Sequence, residues 1–124
     1  WRPAECGAQK IKKDGSGRVP MIPMTENPDI LADVARLPSR PYCVGFAAES
    51  HDLARHAREK RLRKNIPLIV GNLGPATFGR DDNALLLVDA EHSRPLPEDG
   101  RACDKQTLAR ALVAEIARRL HLGA

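Results

Sequence analysis

The stretch that decides the fold is Tyr42-Cys43-Val44-Gly45-Phe46-Ala47, followed after a polar segment by Leu68-Ile69-Val70-Gly71. Both are short, continuous apolar runs, which are typical of strands buried on both faces of a sheet. The intervening residues 51–64 have helical composition, and Ser50 is a candidate N-cap. A strand, a helix and a strand in this order predict a βαβ unit, with parallel strands and a right-handed crossover.

Downstream of this unit, residues 84–90 predict a further strand, and the polar, Pro-rich residues 92–100 leave room for a short return strand. Asp104 is a candidate N-cap for the last helix. The apolar stripe of that helix consists of Leu108, Ala111, Leu112, Ile116 and Leu120. The predicted fold is therefore α/β, with helices covering a parallel sheet.

Upstream, Asn27-Pro28-Asp29 predicts a helix start, with Asn27 as candidate N-cap and Pro28 in the first turn. The apolar face of this helix would be Ile30, Leu31, Val34 and Leu37. Residues 19–25 alternate like an edge strand or an irregular extended segment, because prolines remove ladder donors. Residues 1–18 predict a mobile loop around Gly15-Ser16-Gly17.

Composition narrows the classes of function. The chain of 124 residues has a net charge of +4, which favours an anionic partner, and only 3% aromatic residues, which disfavours a base-stacking platform. Cys6, Cys43 and Cys103 have no metal-type spacing, and Cys43 is expected to be buried. With neither a signal peptide nor a long apolar run, we expect no membrane partner and a cytoplasmic location.

Two lysine clusters are candidate anion sites. Lys10, Lys12 and Lys13 crowd three ammonium groups into a Gly-flanked loop, which is either a solvated loop or a lid that closes over phosphates. In the basic helix 55–64, Lys60 and Lys64 lie four apart and share one face. That face is a solvated surface, a triphosphate site, or a contact to a nucleic-acid backbone.

Other local features leave alternatives open. The helix start at Asn27-Pro28-Asp29-Ile30 is an ordinary cap or a site for a polar ligand, and Phe46 is core or stacks on a base. The sequence has no Walker loop, no G-x-G-x-x-G and no G-x-S-x-G, and its histidines and cysteines form no zinc pattern. Any catalysis would therefore be electrostatic, through lysines.

Five segments taken together resemble bacterial phosphopantothenate–cysteine ligase, the synthetase domain of the bifunctional coenzyme A biosynthesis flavoprotein. Arg2-Pro3-Ala4-Glu5 leading into Lys10-Ile11-Lys12-Lys13 resembles its K-x-K-K lid, and Asn27-Pro28-Asp29-Ile30-Leu31 resembles its N-P-D-I segment. Val44-Gly45-Phe46-Ala47-Ala48-Glu49, the run from Ala57 to Lys64, and Phe78-Gly79-Arg80-Asp81-Asp82-Asn83-Ala84 are similar to three further family segments. The resemblance extends over essentially all residues, in the family's order.

The resemblance implies a ligase that joins 4′-phosphopantothenate to cysteine using CTP, through an acyl-cytidylate intermediate and with Mg²⁺ as cofactor. It assigns CTP contacts to Lys10, Pro28, Asp29, Ile30, Leu31, Phe46, Lys60 and Lys64. Lys10 would also act in the conversion of the acyl-cytidylate, and Lys12 and Lys13 would close the lid. Lys10, Lys60 and Lys64 are thus expected in one anion pocket beside Phe46.

The resemblance also implies a Rossmann-like, three-layer parallel sheet that is incomplete here, because the family's N-terminal half is missing. Residues 1–124 would be the C-terminal part of a single ligase domain, with 1–18 as the lid and 19–124 as the α/β core portion. The family forms homodimers, and a fused decarboxylase domain would bring FMN and a larger assembly. Asn72-Leu73-Gly74 departs from the family's Asn-Asp at that loop. On this interpretation the fragment by itself is inactive.

The competing hypothesis is a non-catalytic nucleotide- or nucleic-acid-binding α/β module that uses the basic helix 55–64. It predicts binding that weakens steeply with salt and shows no preference for CTP. The scarcity of aromatic residues disfavours it, as do the acidic residues Asp14, Asp29 and Glu49 near the expected cleft. We expect no nucleic-acid partner.

Overall fold

A computed structural model of the chain describes residues 1–13 and 15–122, so Asp14 lies outside the described residues. The helices are α1 (Ile30–Ala35), α2 (Leu53–Lys64), α3 (Gly74–Thr77) and α4 (Lys105–Leu122). The strands are β1 (Arg2–Pro3), β2 (Met24–Thr25), β3 (Val44–Glu49), β4 (Leu68–Leu73), β5 (Asp82–Asn83), β6 (Leu85–Val88), β7 (Ser93–Leu96) and β8 (Cys103–Asp104). The fold is α/β, as predicted.

The central sheet has the order β3-β4-β6-β7. β3 and β4 are parallel and joined by α2, so the predicted βαβ unit is confirmed. β6 is antiparallel to β4, and β7 is antiparallel to β6. The sheet is therefore mixed rather than wholly parallel. A parallel β6 would need a long crossover, usually a full helix, whereas the connection after β4 holds only the four-residue α3 and the short β5.

Two apolar clusters lie on opposite faces of this sheet, which gives the predicted three layers. The cluster under α1 and α2 contains Ala35, Cys43, Ala47, Ala57, Ile66, Ile69 and Val88. The cluster under α4 contains Leu68, Val70, Leu87, Leu96, Leu108 and Leu112. Neighbouring residues of β4 alternate between the two clusters, as successive side chains of a strand must. Cys43 is buried, as expected.

Two glycines let the helices approach the sheet closely. A Cβ at Gly45 would lie 2.6 Å from Ile66 Cδ1 and 3.3 Å from Leu31 Cδ2, and one at Gly71 would lie 2.8 Å from Leu53 Cδ1. Side chains at these positions would push the α1 and α2 layer outward. Gly45 therefore helps to place the start of α1 against β3.

β4 is buried on both faces, as predicted, but β3 is an edge strand. Its residues alternate, and Phe46 is 67% exposed. β3 continues to Glu49, and Phe46 is its third residue. The expectation that this strand is covered on both faces is wrong, because an apolar run in the sequence does not specify which strand forms a sheet edge.

The N-caps of the helices and the burial of their apolar faces differ from the prediction in several places. Asp29, not Asn27, caps α1, since its Oδ1 accepts from the Ala32 N–H at 3.1 Å. α2 begins after Asp52, so Ser50 is not its cap. Asp104 does cap α4 through the Thr107 N–H at 2.9 Å. The predicted stripe residues Ile30, Leu37 and Leu120 are exposed, because α1 is short and the end of α4 has little to cover.

The N-terminal segment is held at its base. β1 pairs with β2 in an antiparallel ribbon, which confirms an extended segment only at Met24–Thr25. Arg2 donates to the Glu26 carbonyl at 2.8 Å and to Asn27 Oδ1 at 3.3 Å. The loop between these strands therefore leaves the molecule beside the start of α1. Within the described ranges, no helix has the length and apolarity needed to cross a membrane.

Candidate functional site

Lys64 lies at the end of α2 and reaches the start of α1. Its Nζ is 2.6 Å from Asp29 Oδ2 and 2.7 Å from Oδ1, so one ammonium group faces both carboxylate oxygens. The Lys64 side chain is 20% exposed and that of Asp29 is 48% exposed. The hydrogen bond from Lys64 lowers the pKa of Asp29, with a further contribution from the Ala32 N–H. Asp29 is therefore charged at neutral pH.

Lys60, one turn earlier on α2, reaches the end of β3. Its Nζ lies 2.6 Å from Glu49 Oε1, an ion-pair distance at which hydrogen-bond geometry is not met. The Glu49 side chain is 14% exposed and that of Lys60 is 34% exposed. The Lys60 ammonium lowers the pKa of Glu49, against the effect of burial. We call Lys60, Lys64, Asp29 and Glu49 the lysine site.

Glu49, the residue of β3 that pairs with Lys60, also faces a histidine. His56 Nδ1 lies 3.6 Å from Glu49 Oε2, and His56 Nε2 lies 2.9 Å from an Arg55 guanidinium nitrogen. Because a guanidinium only donates, Nε2 accepts and the proton of a neutral ring is assigned to Nδ1. At 3.6 Å, Nδ1 lies near the carboxylate without forming a hydrogen bond to it. Glu49 is thus held between two groups of α2.

The lid lysines Lys10, Lys12 and Lys13 are exposed in the loop between β1 and β2. At the base of that loop, Arg2 contacts Glu26 and Asn27 just before the α1 start. The base of the loop therefore lies at the residues that precede α1, and its three ammonium groups are exposed to solvent.

The other residues assigned to CTP occupy different surroundings. Pro28 and Ile30 are exposed at the α1 start, next to Asp29, whereas Leu31 packs partly buried against the α1 and α2 core. Phe46 shares its face of β3 with Val44, which packs into the cluster under α4. Its ring therefore projects from the sheet edge on the face opposite α2. Of the residues expected in one anion pocket, Lys64 contacts the α1 start and Lys60 contacts the end of β3, whereas Phe46 lies on the other face of the sheet.

Glu49 is the site residue whose role the sequence reasoning missed. In the sequence it was noted as the last residue of a family-like strand segment and as an acid near the expected cleft, without a role in the site. The available signal was a carboxylate at the carboxyl end of a strand, directly before a helix with six basic residues, because such an acid can reach back-pointing side chains on the following helix.

One further cluster offers metal-ligating atoms. His51, Asp52 and His56 place ligand atoms within 4.8 Å of one another, at a turn where Asp52 has φ 47°. The spacing of the histidines and cysteines in the sequence did not predict this cluster. Arg55 donates to both Asp52 (3.2 Å) and His56 (2.9 Å), so a cation already occupies part of this cluster. Two imidazoles and one carboxylate suit transition metals better than Mg²⁺, which prefers oxygen ligands.

Comparison with known families places the chain clearly. The profile of the family described as "DNA/pantothenate metabolism flavoprotein C-terminal domain" matches residues 1–120. Among curated proteins, the coenzyme A biosynthesis bifunctional protein CoaBC of Escherichia coli (strain K12) is 41% identical over 124 residues, covering 96% of this chain and 30% of that protein. The CoaBC of Vibrio cholerae is 43% identical over 102 residues, covering 77% of this chain and 26% of that protein.

Solved structures show the same fold. A crystal structure of the C-terminal domain of CoaBC matches with a TM-score of 0.63 at 24% identity, covering 81% of this chain and 45% of that chain. The DNA/pantothenate metabolism flavoprotein of Streptococcus pneumoniae matches with a TM-score of 0.62 at 17% identity, covering 86% of this chain and 46% of that chain. This chain therefore spans under a third of the curated relatives described above and under half of the solved chains.

Proposed function

The chain belongs to the family of the DNA/pantothenate metabolism flavoprotein C-terminal domain, homologous to the C-terminal part of CoaBC, and we propose that it carries the nucleotide site of a CTP-dependent phosphopantothenate–cysteine ligase. The observation that carries this proposal is the lysine site. Two ammonium groups one turn apart meet the α1 start and the β3 end, which are the segments that resemble the ligase family. Coenzyme A biosynthesis is the process named for its relatives.

The chemistry fits partly buried lysines. In the proposed first step, a carboxylate oxygen of 4′-phosphopantothenate attacks the α-phosphorus of CTP, and pyrophosphate leaves. Lys60 and Lys64 would offset the charge of the triphosphate and of the departing pyrophosphate. Their partial burial, 34% and 20% exposed, makes this more effective than on an open surface.

In the proposed second step, the amine of cysteine attacks the acyl carbon of the acyl-cytidylate, and CMP leaves. Lys10, in the loop whose base lies beside the α1 start, would supply positive charge to this step. Lys12 and Lys13 would help close the loop over the phosphates. Closure would also exclude water, which otherwise hydrolyses a mixed anhydride.

Magnesium is the cation that this reaction class implies. The carboxylates of the lysine site are engaged by ammonium groups, and the described His51–Asp52–His56 cluster is mainly imidazole. Neither arrangement fits a protein cage for Mg²⁺, which commonly binds through substrate phosphates. The ion would therefore arrive bound to the phosphates of CTP.

The remaining partners belong to the same proposal. The pyrimidine would lie near Pro28, Asp29, Ile30 and Leu31 at the α1 start, and Phe46, which projects from the opposite face of the sheet, is not part of this site. The 4′-phosphopantothenate and cysteine sites, a homodimer, and a fused FMN-dependent decarboxylase domain are further elements. Homology to the coenzyme A biosynthesis protein CoaBC disfavours the nucleic-acid alternative.

Calorimetric titration of the full-length protein with CTP tests the proposal. Lys60→Ala and Lys64→Ala should each weaken binding about tenfold or more, since a charge-assisted hydrogen bond contributes about 1.5–3 kcal/mol. Arg58→Ala is the matched control: it removes one positive charge from the same helix, but its guanidinium contacts Ser93 Oγ at 3.1 Å.

CTP affinity that both lysine variants leave unchanged would contradict the proposal. An equal loss for all three variants, combined with a steep salt dependence and no preference for CTP, would instead favour the nucleic-acid alternative.

A further inference from the structure

The two ion pairs of the lysine site differ in how well water reaches the carboxylate. Glu49 is 14% exposed, lies between Lys60 and His56, and belongs to a strand. Asp29 is 48% exposed at a helix start. Removing the partner of a carboxylate that water cannot reach is costly, whereas an exposed carboxylate is readily rehydrated.

Asp29 keeps a second task when its lysine leaves. Its Oδ1 still accepts from the Ala32 N–H at 3.1 Å, so the α1 cap does not depend on Lys64. Glu49 Oε1 has no comparable donor among the described residues: its contact is the Lys60 ammonium at 2.6 Å. The Asp29 carboxylate therefore loses less than the Glu49 carboxylate when its lysine is taken away.

Lys60 does not have to leave Glu49 to meet an anion. An ammonium group has three N–H donors, and one carboxylate oxygen uses only part of that capacity. The Lys60 side chain is 34% exposed, so its outer donors are accessible. An ammonium group that a carboxylate already holds in place loses less side-chain entropy when a phosphate binds.

We propose that Glu49 is a positioning residue that holds the Lys60 ammonium in place for the nucleoside triphosphate, while Asp29 is a counter-ion that the triphosphate displaces from Lys64. This inference rests on the proposed function. It assigns opposite effects to two carboxylates that look alike in the site. Removing the Asp29 charge should favour binding, and removing the Glu49 charge should weaken it.

CTP titration of isosteric variants of the full-length protein measures both effects. Glu49→Gln should weaken CTP binding about tenfold, the size of one lost charge-assisted contact. Asp29→Asn, which keeps a side-chain oxygen for the Ala32 N–H, should tighten binding about threefold. Glu59→Gln is the control, because it removes a negative charge next to Lys60 on α2 from a pair with Arg55 at 3.3 Å.

A mutant cycle separates positioning from a merely structural role. In a Lys60→Ala background, Glu49→Gln should have no further effect on CTP affinity, because Glu49 acts through Lys60. Glu49→Asp, which keeps the charge on a shorter side chain, should recover part of the lost affinity. Thermal unfolding of each variant establishes that the fold is retained.

Two failures are distinguishable. If Glu49→Gln binds CTP as tightly as the wild type or more tightly, or if its effect persists in the Lys60→Ala background, Glu49 is not a positioning residue and the proposed function stands. If the wild-type protein does not bind CTP, the proposed function itself is wrong, and this inference falls with it.

Discussion

Two charged clusters lie on opposite faces of the central sheet and are built differently. The lysine site, on the α2 face, pairs each of two ammonium groups with one carboxylate. The second cluster, on the α4 face, gathers several arginines around one glutamate. We call it the arginine cluster, and it consists of Glu115, Arg94, Arg118, Arg119 and Asp89.

The arginine cluster is saturated. Glu115 Oε1 accepts from Arg119 at 2.6 Å and from Arg118 at 2.8 Å, and it also contacts Arg94 of β7. Arg119 continues to Asp89 Oδ2 at 2.9 Å. The Glu115 side chain is only 10% exposed. The carboxylate has no capacity left for a ligand, and its contacts join α4 to the β6–β7 hairpin.

This difference shows how the same interaction serves stability in one place and binding in another. A carboxylate surrounded by planar guanidinium groups forms several directed hydrogen bonds at once. An ammonium paired with one carboxylate keeps donors free. We therefore expect the arginine cluster to govern unfolding and the lysine site to govern nucleotide affinity.

We expect the greatest loss of stability on the α4 face. Glu115→Gln should lower the free energy of unfolding by about 3 kcal/mol, because it leaves partly buried arginines without their shared charge. Urea denaturation measures this loss, and CTP affinity of the folded variant should not change. Glu59→Gln, which removes a carboxylate from an exposed pair, is the control and should have little effect. A stability loss for Glu115→Gln no larger than that of the control would contradict the comparison.

A second prediction concerns pH. The Arg118 hydrogen bonds, followed by those of Arg94 and Arg119, lower the pKa of Glu115 to about 2. Stability from this group is therefore fully present above its ordinary pKa of 4.5 and is lost as the pH falls toward about 2. The lowered pKa corresponds to about 3 kcal/mol. Urea denaturation at several pH values should show this decline in the wild type and a shallower one in Glu115→Gln; parallel curves would contradict it.

Much of the fold was predictable because its signals are local. The β3–α2–β4 unit follows from two apolar runs with a basic helix between them. The position of Asp104 as the N-cap of α4 follows from capping chemistry alone. The Asn27 assignment was wrong because Asp29 offers an equally good oxygen two residues later. Where two residues could cap a helix, the packing of the helix, here through Leu31, determines which of them forms the cap.

The features that escaped prediction depend on distant neighbours. The exposed face of Phe46 follows from β3 being at the sheet edge, and the strand order is not encoded in the strand itself. The arginine cluster joins residues of β7 and α4 with Asp89, and no sequence spacing announces such contacts. For the site, lysine spacing on α2 was informative because a helix imposes a fixed period, but the carboxylates that meet these lysines come from other elements.

A third prediction concerns the half-exposed pair of Asp29 and Lys64. Asp29→Asn removes a charge that lies 2.6 Å from Lys64, yet it should change the free energy of unfolding by less than about 0.5 kcal/mol. The carboxylate is half exposed, and an asparagine oxygen can still accept from the Ala32 N–H. Urea denaturation beside Glu115→Gln provides the measurement. A loss for Asp29→Asn close to that of Glu115→Gln would mean that the lysine site is also built for stability, since a counter-ion that a ligand displaces cannot be one the fold requires.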